Sequence, residues 1–183
     1  MFGFLKRRRA NQDVFDAVYD SLSQASRAPV FYAVLGVPDT VEGRFDMLTL
    51  HAVLLLERLK QLPPPADDMA QDLVDDLFRR FDGALREMGV GDIAVPKRMK
   101  RIASHFMGRA KAYHDALANG DEAMTAALAR NVFADETREE QGKRLNHYVN
   151  VTRQVLADTS FDAIATASIP WPDPTDLIQG VNA

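Results

Sequence analysis

Apolar residues recur along this chain at intervals of three and four, and alternating runs of strand type are scarce. The pattern predicts an all-α fold: a single-domain bundle of about seven or eight helices around a central apolar helix. The first helix covers about Asn11 to Gln24, with Val14, Phe15, Val18 and Leu22 along one stripe. A short second helix opens at Pro29, a favoured first-turn position, and ends near Gly36. The third has the clearest start. Asp39 or Thr40 can cap it, and Glu42 stands at capping-box spacing from Asp39. Val41, Phe45, Leu48, Ala52, Leu55, Leu56 and Leu59 share one of its faces, and Met47, Leu50 and Leu54 form a second. Only a narrow strip of Glu42, Asp46, Thr49, Glu57 and Lys60 is polar, so this helix belongs at the centre of the bundle.

Pro63, Pro64 and Pro65 end the third helix. The fourth runs from about Asp67 to Met88, with Leu73, Val74, Leu77, Phe78, Phe81, Leu85 and Met88 on one side and Gly89 closing it. Pro96 opens the fifth, which reaches Asn119 and stops at Gly120. A sixth covers Glu122 to Asn131 and a seventh Glu136 to Ala157, and Phe161 to Ala167 adds a last turn or two. The tail PWPDPTDLIQGVNA has too many prolines for a helix, and Trp171 is expected to anchor it to the body. Three segments follow: a basic tip and first helix (1–24), a main helical domain (25–174) and a C-terminal tail (175–183).

Composition narrows the chemistry. The 183 residues are 46% hydrophobic and 26% charged, as in an ordinary soluble globular protein. No cysteine is present, which excludes disulfides, thiolate metal sites, iron–sulfur ligation and cysteine nucleophiles. The longest apolar run, Met47 to Leu56, is broken by Thr49 and His51 and falls short of the ~20 residues that a membrane span needs. No Glu-x-x-His spacing, Gly-x-Ser-x-Gly elbow or phosphate-cradling glycine loop occurs. No catalytic residue, metal site or cofactor is therefore predicted.

The net charge of −4 conceals local asymmetry. The fourth helix carries Asp67, Asp68, Asp72, Asp75, Asp76 and Asp82, and DDMAQD resembles the magnesium-binding motif of all-α prenyl synthases. The second motif those enzymes need is missing. Asp75, Asp76 and Asp82 each precede an arginine by four residues, which favours a salt-bridged face. The fifth helix carries Lys97, Arg98, Lys100, Arg101, Arg109 and Lys111 with no acid between them. Such a face attracts phosphate, anionic lipid or acidic protein, or else docks on the acidic fourth helix. It lacks aromatics for base stacking, so sequence-specific nucleic-acid reading is disfavoured. At the N-terminus, Phe2, Phe4 and Leu5 precede Lys6, Arg7, Arg8 and Arg9, a composition suited to weak contact with an anionic membrane. His51 reads as a satisfied core histidine, and Gly108 as a point where a neighbouring helix comes close.

The segments VPDTVEGRFDMLTLHAVLLLERL (37–59) and LFRRFDGALREMGVGDIAVPKRMKRIASHFMGRAKAYHDAL (77–117), with the closing IPWPDP, resemble the ubiquinol–cytochrome c chaperone family over about Ala25 to Pro174. The resemblance implies an assembly factor that helps newly made cytochrome b to mature and enter the bc complex. Its implied partners are cytochrome b or other bc complex subunits, the ribosome near its exit tunnel, and a small partner protein. In the matched segments the polar residues Asp39, Arg44, Asp46, His51, Lys97, Lys100 and Arg109 are candidates for partner contact, joined on the basic helix by Arg98, Arg101 and Lys111. Arg44 and Asp46 have a competing role as links to the fourth or fifth helix. The family segment begins close to the N-terminus, without a long leader, which points to a bacterial protein of the cytoplasm, peripheral on the inner face of the membrane. The competing reading is a helical adaptor that binds the ribosome or an anionic membrane surface without chaperone work.

Overall fold

The computed structural model describes residues 2–179, with side chains from Gln12 to Leu177. Its helical segments are α1 (Phe2–Ser26), α2 (Pro29–Ala33), α3 (Val41–Leu59), α4 (Ala66–Glu87), α5 (Val95–Asn119), α6 (Asp121–Val132), α7 (Glu139–Ala157), α8 (Phe161–Ala165) and α9 (Pro174–Gln179). No strand occurs among the described residues. The all-α single-domain expectation holds, with α3 at the centre.

Local chemistry explains the start of α3. The Thr40 hydroxyl accepts the Gly43 N–H at 3.1 Å, which satisfies one of the free donors of the first turn. Asp39, the other candidate cap, instead accepts from Arg44 Nε at 2.7 Å. Gly43 has a separate reason to be glycine: a Cβ there would stand 2.0 Å from the Pro38 carbonyl oxygen. The loop before α3 therefore lies directly on its first turn. Thirteen of the 19 residues of α3 are buried, and the helix touches α1, α4, α5, α6 and α7. Its polar strip is narrower than expected, because Asp46 and Thr49 are also buried.

Aromatic packing joins three helices. Phe45 of α3 meets Phe81 of α4 with ring centroids 5.4 Å apart, Phe81 meets Phe78 at 5.9 Å, and Phe78 meets Phe106 of α5 at 5.4 Å. These are edge-on or tilted arrangements, which favour the quadrupoles of the rings. Thus α4 and α5 meet through apolar rings, not through an acidic face against a basic one.

Several expectations change. The tail is not wholly irregular. The Asp173 carboxylate accepts the Thr175 N–H at 2.8 Å and Pro174 occupies the first position of α9, where its missing N–H costs nothing. Trp171 anchors the segment as expected, donating Nε1–H to Ser21 Oγ at 2.9 Å. α7 begins at Glu139 instead of Glu136. Asp135 Oδ1 accepts the Thr137 N–H at 2.9 Å and its hydroxyl at 2.6 Å, folding residues 135–137 into a turn that competes with the helix. The helix expected from Asn11 starts at Phe2. Gly108 is not a close-approach site, because a Cβ there would meet nothing within 4 Å; Gly142 is one, its Cβ position lying 2.7 Å from the Thr125 carbonyl oxygen.

Three of the six aspartates of α4, Asp75, Asp76 and Asp82, are engaged by neighbouring side chains. Asp76, 1% exposed, accepts from Arg80 Nε and from Arg79 Nη1 at 2.6 Å each. Arg80 also bonds Asp16 of α1 and lies 4.2 Å from the centroid of the Tyr19 ring. Arg86 pairs with Asp82 at 2.7 Å. Asp75 does not take Arg79, as i,i+4 spacing alone suggests. It accepts from Gln71 at 3.1 Å, because the buried Asp76 is the stronger site.

Candidate partner-binding surfaces

His51 lies at the middle of α3 with no exposed surface. Its Nδ1 is 2.8 Å from the Met47 carbonyl oxygen, so Nδ1 carries the proton and donates. Nε2 then accepts from the Tyr148 hydroxyl at 2.9 Å. The ring also packs against Phe31, Tyr148 and Trp171, with centroids 5.9, 5.6 and 5.3 Å away. α2, α3, α7 and the C-terminal segment thus converge on one imidazole. Burial lowers its pKa from 6.5 to about 4, against the raising effect of the Met47 carbonyl. The expected core histidine is found, and it offers no surface to a partner.

Asp46 and Arg109 come together between α3 and α5, with Arg109 Nε 2.5 Å from Oδ1 and off hydrogen-bond alignment. Burial raises the Asp46 pKa to about 6, and the nearby Arg109 charge opposes the rise. Among the described residues, Thr49 Oγ1 and the Tyr113 hydroxyl are further buried polar atoms without a hydrogen-bond partner on these two helices. Asp46 and Arg109 therefore link helices, which is one of the two roles the sequence allowed for Asp46. Arg44 does not share that role. Its partner is Asp39, and both side chains are more than half exposed.

Two outer surfaces remain. At the shoulder of α2 and α3, Arg27, Pro29, Tyr32, Ala33, Asp39 and Arg44 line an open cavity of about 410 Å³. Arg44 stands 6.0 Å from the centroid of the Tyr32 ring. Two exposed valines, Val34 and Val41 (69% exposed), belong to the same stretch of chain. Tyr32 is fixed by donating its hydroxyl to the Ser26 carbonyl at 2.8 Å. A polar rim with exposed aliphatics suits an apolar peptide segment.

The second surface is α5, where the six cations have different fates. Arg109 turns inward to Asp46, and Lys111 pairs with Asp115 at 2.6 Å. Lys97, Arg98, Lys100 and Arg101 are exposed and make no ion pair among the described residues. Sequence reasoning missed the apolar residues beside them. Met88, expected on the apolar face of α4, falls just past its end, on the connection to α5, and is 60% exposed, and Ile93 on the same connection is 99% exposed. The side chains of Phe2, Phe4, Leu5, Lys6, Arg7, Arg8 and Arg9, candidates for membrane contact, lie outside the described residues. Among the described residues, no group of three or more histidines or carboxylates could hold a metal ion, and no helix is long and apolar enough to cross a membrane.

Comparisons with known proteins extend this picture. A family model described as "Ubiquinol-cytochrome C chaperone" matches residues 33–171. The chain is 24% identical over 156 residues to ubiquinol-cytochrome c reductase complex assembly factor 1 of Mus musculus, covering 84% of this chain and 53% of the relative. The Xenopus laevis protein of that description is 25% identical over 146 residues, covering 77% and 72%. The chain thus spans about half the length of the mouse relative. Among solved structures, the Cbp3 homolog from Brucella abortus superposes with a TM-score of 0.81 at 41% identity, covering 95% of this chain and 98% of that one.

Proposed function

The chain belongs to the ubiquinol–cytochrome c chaperone family, and from that premise we propose that it is a non-enzymatic assembly factor for ubiquinol–cytochrome c reductase whose client is newly made cytochrome b. The observation that carries this reading is the near end-to-end likeness to the Brucella abortus Cbp3 homolog. The site geometry supports it. The buried polar residues His51, Asp46 and Arg109 are used to join helices, while the outer surfaces combine exposed aliphatics with charge. That is a surface for holding another protein, without a converging set of acid, base and nucleophile.

The client site in this reading is the α2–α3 shoulder. Val34 and Val41 meet an apolar segment of cytochrome b, and Arg44 and Asp39 supply the polar rim. The protein works at the cytoplasmic face of a bacterial membrane, where a membrane subunit emerges and must be shielded until haem and the other subunits arrive. Deleting the gene is expected to remove most of the assembled complex, read from haem b and haem c spectra and subunit immunoblots. Normal levels of assembled complex in the deletion strain would refute the proposal.

A further inference from the structure

The connection between α4 and α5 presents an apolar tip that the fold does not use. Ile93 is 99% exposed and Met88 60% exposed, whereas their neighbours Leu85 and Val95 are buried at 6% and 1%. The connection is held in shape. The Val90 N–H donates to the Leu85 carbonyl at 3.0 Å and the Ala94 N–H to the Gly91 carbonyl at 2.8 Å. Arg86 reaches across it to Asp92 at 2.5 Å. The exposure of Ile93 thus belongs to a turn fixed by backbone bonds at both ends.

Immediately after this tip, the first two turns of α5 carry Lys97, Arg98, Lys100 and Arg101. All four are exposed. From Arg86 to Arg101 there are five cations and two acids, Glu87 and Asp92, and Asp92 is already covered by Arg86. An aliphatic tip followed by unpaired cations matches the boundary of an anionic bilayer, where acyl chains lie just beneath phosphate headgroups. A nucleic acid would satisfy the cations but leave Ile93 in water, and the basic turns carry no aromatic ring for stacking.

We propose that the α4–α5 tip is a membrane-docking site: Ile93 and Met88 enter the headgroup–acyl boundary, and Lys97, Arg98, Lys100 and Arg101 bind anionic phospholipid headgroups. This deepens the peripheral placement proposed above and rests on it. The docking surface is separate in sequence from the client shoulder at residues 27–44, so one molecule presents both.

The test uses the full chain and vesicles of phosphatidylcholine alone or with one quarter phosphatidylglycerol. Co-sedimentation is expected only with the anionic vesicles and is expected to fall at high salt. Ile93→Asp is expected to lower the partition at least about tenfold, the factor carried by one buried aliphatic side chain. The pair Lys97→Glu and Arg101→Glu is expected to abolish it. All three positions are exposed, so thermal melts should match the parent. A gain-of-signal variant, Ile93→Trp, should show blue-shifted emission and quenching by brominated lipid above the background of the single native Trp171. Binding that survives both sets of substitutions, an unquenched tryptophan at position 93, or capture of ribosomal RNA or protein without vesicle binding would each overturn the proposal. Failure here would leave the haem spectra of the deletion strain unchanged, so the two readings fail separately.

Discussion

Replacing His51 by alanine should destabilise the fold by about 4 kcal/mol, the sum of a core cavity and an orphaned hydroxyl. The imidazole has no exposed surface. It fills the space between Phe31, Tyr148 and Trp171, and it accepts the hydroxyl proton of Tyr148, itself fully buried. Alanine removes the ring and leaves that hydroxyl without its acceptor. In a domain of this size the melting temperature should fall by roughly 10 °C. The deficit should also depend on pH. Burial holds the His51 pKa at about 4 in the folded chain, against 6.5 as the ordinary value. An unfolded chain therefore takes up a proton below pH 6.5 that the native ring refuses. The contribution is fully present above pH 6.5 and is lost as pH falls through about 4, amounting to about 3 kcal/mol. His51→Ala lacks this dependence, so the gap between parent and variant should narrow between pH 6.5 and 4. A gap that stays constant over that range would show that the ring is not held neutral.

Arg109→Met should be nearly as costly at pH 8, about 3 kcal/mol, because it leaves the Asp46 carboxylate buried without its partner. The group responsible, Asp46, titrates with the opposite sign to His51, although both deficits shrink in acid. Burial raises the folded pKa of Asp46 from 3.8 to about 6 even with Arg109 present, and removing the guanidinium pushes it higher. The native variant then binds a proton more readily than its unfolded chain, so stability returns as pH falls and is lost as pH rises through the folded pKa. Chemical denaturation at pH 8 and pH 5 should show the Arg109→Met deficit shrinking in acid. Adding Asp46→Asn should recover part of the loss at pH 8. An equal deficit at both pH values would mean that the two groups do not interact.

These residues also show what was legible beforehand. The centrality of α3 and the closures at Gly89 and Gly120 are local matters of period, cap and positive φ, and the structure repeats them. The core role of His51 followed from a ring at the edge of an apolar surround. The partner of Asp46 required knowing that α5 crosses α3, which left Arg44 and Asp46 with the same two options. Tertiary geometry then gave them different ones: a loop pair for Arg44 and an interhelical pair for Asp46. Asp75 and Asp76 are adjacent acids with arginines at the same offset. Only burial beneath α1 makes Asp76 the one that gathers Arg79 and Arg80. Each proline of the tail argues against a helix around it, but the last of them, Pro174, can begin one. Ile93 was invisible for a simpler reason. Whether a single aliphatic residue faces the core or water is decided by the turn that carries it, and no periodic pattern exists over so short a connection.

The proposed client, newly made cytochrome b, can be sought in native membranes. The most direct measurement is cross-linking in native membranes followed by capture of the full chain and identification of the attached proteins. Cytochrome b is expected among them, and that adduct is expected to be lost when Val34 and Val41 are both replaced by aspartate. Efficient capture of other proteins with no cytochrome b adduct would contradict the proposal.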